Sequence, residues 1–456
     1  MIEMSKINLE SIRKKINNLY RFRDEYFVNN SNENEWPNKR SAIEMKIKEI
    51  NDELENYINT NHLDDDDNNM NNKAEYYFLR GWLLNIRDQY DTNVFESLTK
   101  SIKFQPDNQQ AWLELGECYF KKQQLNLAKN CFEKVLQINP SEKHALRNLS
   151  IMLRSNQCNT NDQSLETKQQ NIVKSIELAK KAIEYDCNDP DSWAILGNAY
   201  LTLFFQSSNN KSLNRIDLLE KCKSSYQKAL NDPIVRTKSD ILYNFSTILQ
   251  YDEEFEQSLQ CLYNASRYDS EWLELIDKKQ RLLNLFDEIC NGNKLDRTVI
   301  KAKKLANIKE QLQTEELKLK KQFQNELKFF NGQTKLIDEL NVNEINDCLL
   351  VCRIISYIAD PHNIFFSSIY IIIDSNGQTI TLFVYDLIRN KGPRPGDTLI
   401  IIKPFLREYR IKFNGQEFHF KALRIVDPLQ EMLINNMQIK NDCLAIPTIN
   451  VTLKSD

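Results

Sequence analysis

The sequence predicts a long α-helical solenoid followed by a small β barrel. Three observations carry that prediction: where the glycines fall, a recurring spacing of large residues, and a late change to β-branched runs. Only nine glycines occur in 456 residues, about 2% against a usual ~7%. They stand at 81, 116, 197, 292 and 332, and then four crowd together at 377, 392, 396 and 415. Glycine weakens helix interiors and serves tight turns between strands, so this distribution separates a helical region from a compact β domain.

The helical region repeats. Trp112, Leu115, Gly116, Tyr119, Ala128, Phe132, Val135 and Pro140 have the spacing of a tetratricopeptide unit of about 34 residues. Trp112, Leu115 and Tyr119 share a face of a first helix, Gly116 admits the second helix closely, and Pro140 ends it. Numbering this unit from Gln109 gives a ruler. One unit on, Leu146, Leu149, Ser150 and Leu153 take first-helix positions, while Ser175, Ala179 and Ala182 arrive 13 residues late. The polar stretch Ser155–Gln170 therefore predicts a loop insertion. Trp193, Leu196, Gly197 and Tyr200 follow 81 residues after the first set, two repeats plus that insertion. A second insertion runs from Gln206 to about Glu220, before Tyr226 and Ala229. The next unit carries Leu242, Phe245, Ser246, Leu249, Ser258, Leu262 and Ala265, and a weaker first copy carries Gly81, Leu98 and Pro106.

These landmarks predict capping helices over 1–60, an acidic, Asn-rich loop over 61–73, and about five repeats with two insertions over 74–270. Capping and linker helices follow over 271–334, the barrel over 335–430 and a tail over 431–456. The run Asp64–Asp67 lacks the spaced ligands and turn glycine of a calcium loop, so it reads as solvated. Lys301, Lys303, Lys304, Lys318, Lys320 and Lys321 alternate with Glu315, Glu316 and Glu326, which describes a solvated helix face better than a polyanion site.

From Leu349 the pattern becomes Leu349–Ile358, Phe365–Asp374, Thr379–Tyr385, Thr398–Ile402 and Phe418–Val426. Turns are signalled at Asp374–Gly377, Pro393–Asp397 and Asn414-Gly415. Five strands in so short a span, with a break near Asp386–Asn390, fit an OB-like barrel. Cys348 and Cys352 share a strand face as a core pair, because nothing nearby supplies further metal ligands. Phe383, Tyr385, Tyr409, Phe413, Phe418 and Phe420 beside Arg394, Lys403, Arg407, Arg410 and Lys412 allow a base-stacking face; the competing account makes the aromatics core and the basic residues solvated.

Other classes recede. With 60 Lys+Arg against 64 Asp+Glu the net charge is -4, which is no basic footprint for nucleic acid. Ten cysteines without a C-x-x-C pair, and an opening with no apolar stretch, predict a reducing compartment and free thiols. The apolar runs Ile369–Ile373 and Leu399–Ile402 fall far short of the ~20 residues that span a bilayer. The chain is thus expected to be neither secreted nor membrane-embedded. The four histidines, His62, His144, His362 and His419, are scattered, and no metal, phosphate-loop, dinucleotide or nucleophile-elbow motif appears. A non-enzyme without cofactor or metal is the expectation.

In a stacked helix-pair solenoid the first helix of each unit lines the concave face. The ruler places there Gln110, Leu113, Glu117, Phe120 and Lys121 from one unit and His144, Arg147, Ile151, Arg154 and Ser155 from the next. Asp191, Ala194, Asn198, Leu201 and Thr202 follow, then Asp240, Tyr243, Thr247, Gln250 and Tyr251. Arginines suit a carboxylate and Asp240 suits a cation, so the groove fits a short peptide with adjacent basic, acidic and apolar side chains.

The stretches Leu19-Tyr20-Arg21-Phe22-Arg23-Asp24-Glu25-Tyr26-Phe27, Asn148–Arg154 and Ser192–Leu201, followed by the barrel, resemble the tetratricopeptide repeat protein 5 (Strap) family. That resemblance implies an adaptor at the ribosome, near the exit tunnel. It would recognise the N-terminal Met-Arg-Glu-Cys or Met-Arg-Glu-Ile of nascent α- and β-tubulin and, through an mRNA-decay adaptor, trigger decay of the tubulin message. It implies a peptide-binding arginine at Arg154 and an acidic partner at Asp240; with the groove residues Arg147, Asn198, Tyr243 and Glu117 from the ruler these form the expected peptide site, Asp240 meeting the peptide Arg and Arg154, helped by Arg147, meeting the Glu. It implies ribosome-facing Lys100 and Lys103, and a cytoplasmic protein with a nuclear pool. The alternative it carries is a stress-responsive transcription-cofactor scaffold, bridging nuclear coactivators, whose OB domain binds DNA or chromatin.

Overall fold

The structure is a computed structural model that describes residues 8–30, 39–61, 70–154, 165–206, 215–293, 302–326, 333–360, 366–388 and 391–444. Asp64–Asp67, His62, His362, Ser155 and Lys301 lie outside the described residues. Two compact units form: one of 1–204, 216–244 and 450–456, the other of 205–215 and 245–449.

The first unit opens with α1 (Leu9–Asn29) and α2 (Lys39–Asn61). Asn8 caps α1 by accepting the Glu10 N–H, and Ile12, Ile16 and Leu19 bury one stripe at helical spacing. Helix pairs follow: α3 (Met70–Asn85) with α4 (Thr92–Phe104), α5 (Gln109–Lys121) with α6 (Leu125–Ile138), and α7 (Lys143–Arg154) with α8 (Leu165–Tyr185). Next come α9 (Pro190–Gln206) with α10 (Arg215–Ala229), and α11 (Ser239–Tyr251), within which the second unit begins. The ruler shows in the geometry. Trp112 Nε1 donates to the Pro106 carbonyl at 2.8 Å, and 81 residues on Trp193 Nε1 donates to that of Cys187 at 2.9 Å. Where α5 crosses α6, a methyl on Gly116 would lie 2.6 Å from the Phe132 ring, so only glycine permits the approach.

Both insertions are shorter than the sequence predicts. Leu165–Gln170 already form the start of α8 and Arg215–Glu220 the start of α10. These residues are mostly straight-chain helix formers with Glu166 and Asp217 in the first turns, where carboxylates favour the positive helix end.

In the second unit α12 (Phe255–Tyr268), α13 (Leu273–Asn293) and α14 (Ala302–Glu326) lead into a sheet. Its strands are β1 (Glu344–Ile345), β2 (Leu349–Ile358), β3 (Ser367–Asp374), β4 (Thr379–Tyr385), β5 (Thr398–Ile402), β6 (Phe405–Phe413) and β7 (Gln416–Ile425). A short helix α15 (Pro428–Glu431) precedes β8 (Met432–Ile434) and β9 (Met437–Gln438). The order is β1-β6-β7-β4-β3-β2-β5-β8-β9, with β4 and β7 parallel. Because β1 pairs with β6 and runs straight on into β2, the sheet closes as an OB barrel. Asn414 and Gly415, both at positive φ, turn β6 into β7. The core holds Leu350, Cys352, Ile372, Leu382 and Leu423, with Cys348 beside them.

The strand β6 is not among those the sequence predicts. Arg407, Glu408, Arg410 and Lys412 interrupt its apolar run, yet Tyr409, Ile411 and Phe413 alternate onto one buried face, opposite the barrel-core residue Leu406. The outer barrel face is closed by the chain's own helices. Phe286 of α13 contacts Phe418 and Phe420, Phe255 of α12 contacts Tyr409, and Tyr263 contacts Phe413. Phe383, Tyr385, Tyr409, Phe413, Phe418 and Phe420 are all buried. The base-stacking face is therefore corrected: burying these rings against helices is worth roughly 1.5–3 kcal/mol each, and no base can displace them cheaply. Of the basic residues, Arg407 pairs with Glu253, Lys403 with Asp347 and Lys412 with Glu417.

One carboxylate fastens helix to sheet. Glu253 lies in the turn from α11 to α12 at φ 63, the ruler position that Gln123 fills at φ 65 after α5. Its side chain is fully buried. It accepts from the Tyr385 hydroxyl at 2.7 Å, from the Tyr409 hydroxyl, and from Arg407 Nη1 at 3.3 Å, and Arg424 Nε lies 3.1 Å away. Burial works against the Arg424 charge, but Glu253 outweighs it and holds the guanidinium above its ordinary value.

Two stability outcomes follow. Glu253→Ala leaves Arg424 without its counter-charge and Arg407 with only Glu254, 3.8 Å away, and should cost about 3–5 kcal/mol in urea unfolding. Gly116→Ala should cost about 1–3 kcal/mol through overpacking. Wild-type midpoints for either variant would contradict the packing described.

Candidate functional site

The first helices of successive repeats bring their polar side chains into an interior, not onto an open surface. Arg154 is 7% exposed, Asn198 0% and Asp240 8%. Arg154 ends α7, a place where a cation complements the negative helix terminus. Its Nε donates to Ser175 Oγ at 2.8 Å and to the Ser150 carbonyl at 3.3 Å. Its Nη1 and Nη2 have no acceptor among the described residues. Burial pushes its pKa down to about 10, opposed by the Tyr226 hydroxyl, so at neutral pH the charge persists.

Asn198 is fixed by two donors. Its Oδ1 accepts from the Tyr226 hydroxyl at 2.6 Å and from Asn244 Nδ2 at 3.1 Å, which leaves Nδ2 as a donor without an acceptor among the described residues. Tyr226 can lie there because its neighbour is Gly197, where a methyl would meet the ring at 3.0 Å. Burial raises the Tyr226 pKa well above normal; Arg154 lowers it and Asp240 raises it. This one phenol thus feels Arg154, Asn198 and Asp240 together. Asp240 stands in the first turn of α11, and Tyr243, half-buried, follows on the same helix.

Arg147 is differently placed. Its Nη1 lies 2.6 Å from Asp189 Oδ2 and 3.6 Å from Asp191, and its Nη2 donates to His144 Nδ1 at 2.8 Å. Lys143 and Lys238 extend this into a charge ladder across α7, α9 and α11. Burial raises the Asp189 pKa, but Arg147, Ser192 and Lys143 win and hold it at about 2. Its contribution to stability is complete above roughly pH 4 and is lost as pH falls toward 2. Arg147 therefore ties repeats together, and Arg154 is the arginine with donors to spare.

Glu117, half-buried on α5, belongs to a separate cluster. It neighbours Glu114, whose Oε2 accepts from Asn85 Nδ2 at 2.6 Å. Lys121 Nζ is occupied by the Asn85 carbonyl at 2.5 Å, Asn85 Oδ1 at 3.1 Å and the Arg87 carbonyl at 2.8 Å. Burial, then the Glu117 charge, push the Glu114 pKa up to about 8. This end of the repeats favours a cation. Lys100 and Lys103 are exposed on α4, with Lys100 Nζ 5.0 Å above the Tyr77 ring.

The ruler missed Glu114 and Asp189, and it placed Ser175 and Tyr226 only as second-helix packing positions. Tyr226 alone carried a signal: it fills the helix-crossing position that earlier repeats give to Leu98 and Phe132, and its one added atom is a hydroxyl. Among the described residues no cluster of potential metal ligands occurs, and no described helix is long and apolar enough to cross a membrane.

Known proteins resemble the chain in both parts. Residues 332–448 match the family model "Tetratricopeptide repeat protein 5 OB fold domain" and residues 110–142 match "Tetratricopeptide repeat". Tetratricopeptide repeat protein 5 of Homo sapiens is 25% identical over 447 residues, 97% of this chain and 96% of that protein. The Mus musculus protein is 25% identical over 445 residues, 96% and 95% of the two chains. Among solved structures, a thermophilic TPR protein of Thermus thermophilus is 14% identical with a TM-score of 0.38, covering 46% of this chain and 98% of that one.

Glu114 sets a pH outcome. Its folded pKa lies above the unfolded value, so the folded state binds the extra proton and stability falls as pH rises from about 4.5 to 8. Glu114→Gln should narrow the difference in Tm between about pH 5 and pH 8; an unchanged difference would contradict the assignment.

Proposed function

We propose that this chain, a relative of tetratricopeptide repeat protein 5 in both its repeats and its barrel, is a peptide-recognition adaptor for the N-terminal Met-Arg-Glu-Ile or Met-Arg-Glu-Cys of nascent tubulin. The observation that carries this reading is Arg154, a buried cation with both Nη atoms lacking acceptors among the described residues. A buried donor left unmatched costs about 1–3 kcal/mol, more when charged, and a peptide carboxylate would relieve that cost through two parallel bonds. The peptide Glu meets Arg154 and Asn198, and the peptide Arg meets Asp240 with Tyr243 beside it. The Glu117 carboxylate favours a further cation.

At the ribosome such an adaptor holds the emerging chain and recruits an mRNA-decay adaptor, making the tubulin message its output. It acts in the cytoplasm, with a nuclear pool, and uses no cofactor. The covered barrel face argues against the DNA-binding scaffold.

Titration with a fluorescent peptide beginning Met-Arg-Glu-Ile, beside a control with Arg and Glu exchanged, tests this. Saturable binding to the first alone is expected, and Arg154→Ala or Asp240→Ala should weaken it at least about 30-fold. Equal binding of both peptides, or full affinity in both variants, would contradict it. Reversing Lys100 and Lys103 to Glu should reduce co-sedimentation with ribosomes and leave peptide affinity unchanged; undiminished co-sedimentation would remove them from the ribosome contact.

A further inference from the structure

Where first and second helices cross, the early repeats use apolar packing: Gly81 against Leu98, and Gly116 against Phe132. The next two repeats place hydroxyls at the same crossings. Ser150 Oγ donates to the Ser175 carbonyl at 2.9 Å and lies 2.9 Å from Ser175 Oγ, while Tyr226 packs on Gly197. Two hydroxyls at these crossings, those of Ser175 and Tyr226, also reach a recognition side chain. Ser175 Oγ accepts Arg154 Nε at 2.8 Å, and Tyr226 donates to Asn198 Oδ1 at 2.6 Å.

We propose that Ser175 and Tyr226 are positioning residues that set the geometry of a carboxylate site built from Arg154 and Asn198. The inference rests on the peptide-recognition reading above. A guanidinium on a long stem has many rotamers; anchoring Nε at Ser175 fixes the plane in which Nη1 and Nη2 present their hydrogens. An asparagine amide can point either way. Two donors on Oδ1, from Tyr226 and Asn244, favour this orientation over the flipped one, which would require the Tyr226 hydroxyl to accept and the Asn244 amide to turn as well. The amide is thereby held as a donor. Pre-setting both groups removes ordering cost from the binding step, so second-helix residues that never touch the ligand raise affinity for it.

The test uses the full chain, the Met-Arg-Glu-Ile peptide, and the variants Tyr226→Phe and Ser175→Ala, alone and combined with Asn198→Ala and Arg154→Ala respectively. Tyr226→Phe keeps the ring that fills the crossing, and thermal melts report whether either variant is folded. Each single variant should weaken binding by about tenfold, the loss of one oriented donor, while a lowered Tm still shows a cooperatively folded chain at the assay temperature. Tyr226→Phe should then cost nothing further in the Asn198→Ala background, nor Ser175→Ala in the Arg154→Ala background. Wild-type affinity in the single variants, or the same tenfold loss in both backgrounds, would overturn the positioning role and leave the peptide reading standing. Failure of the wild-type protein to bind the peptide would overturn the reading itself, and this inference with it.

Discussion

A charge removed from water must find its opposite or a full set of hydrogen-bond partners, and the two units meet that constraint in contrasting ways. Glu253 satisfies it completely, with two phenols and two arginines around one carboxylate. Arg154 satisfies it only at Nε. The saturated charge fixes structure, and the unsaturated one is where we propose that a ligand carboxylate binds. That difference decides which buried group is recognition machinery and which is framework.

The same logic separates the two arginines of α7. Arg147 lies one helical period and more before Arg154, and the ruler treats the pair alike. Asp189 makes them different, because its carboxylate, set just before the next first helix, captures Arg147 together with Lys143. One arginine of the repeat thus holds the neighbouring repeat, and the other keeps the donors on which the proposed binding rests. In the last repeat the turn residue Glu253 is diverted to the sheet: the left-handed turn conformation that it shares with Gln123 here aims a carboxylate at β4, β6 and β7.

Much of this architecture is legible in the sequence. The repeat period, the crossing glycines, and the strands β2, β4 and β5 follow from spacing and composition alone, because each depends on local periodicity. The strand β6 escapes because its alternation is carried by Tyr409, Ile411 and Phe413 between charged residues. The helical starts of α8 and α10 escape because polar helix formers in an insertion look like loop. At the recognition site the ruler finds Arg154, Asn198 and Asp240 as positions, but not which donors stay unmatched. That property depends on Ser175, Tyr226 and Asp189, residues distant in sequence whose partners no periodicity specifies. The aromatic residues of the barrel show the same limit: their number invites a ligand face, and only packing against α12 and α13 reveals that face as interior.

The most direct examination of the central claim is a crystal structure of the protein bound to a peptide beginning Met-Arg-Glu-Ile. The account predicts the peptide Glu carboxylate within hydrogen-bond distance of Arg154 Nη1 and Nη2, with Asn198 Nδ2 as a further donor. A bound peptide that leaves both Nη atoms of Arg154 without an acceptor would contradict it.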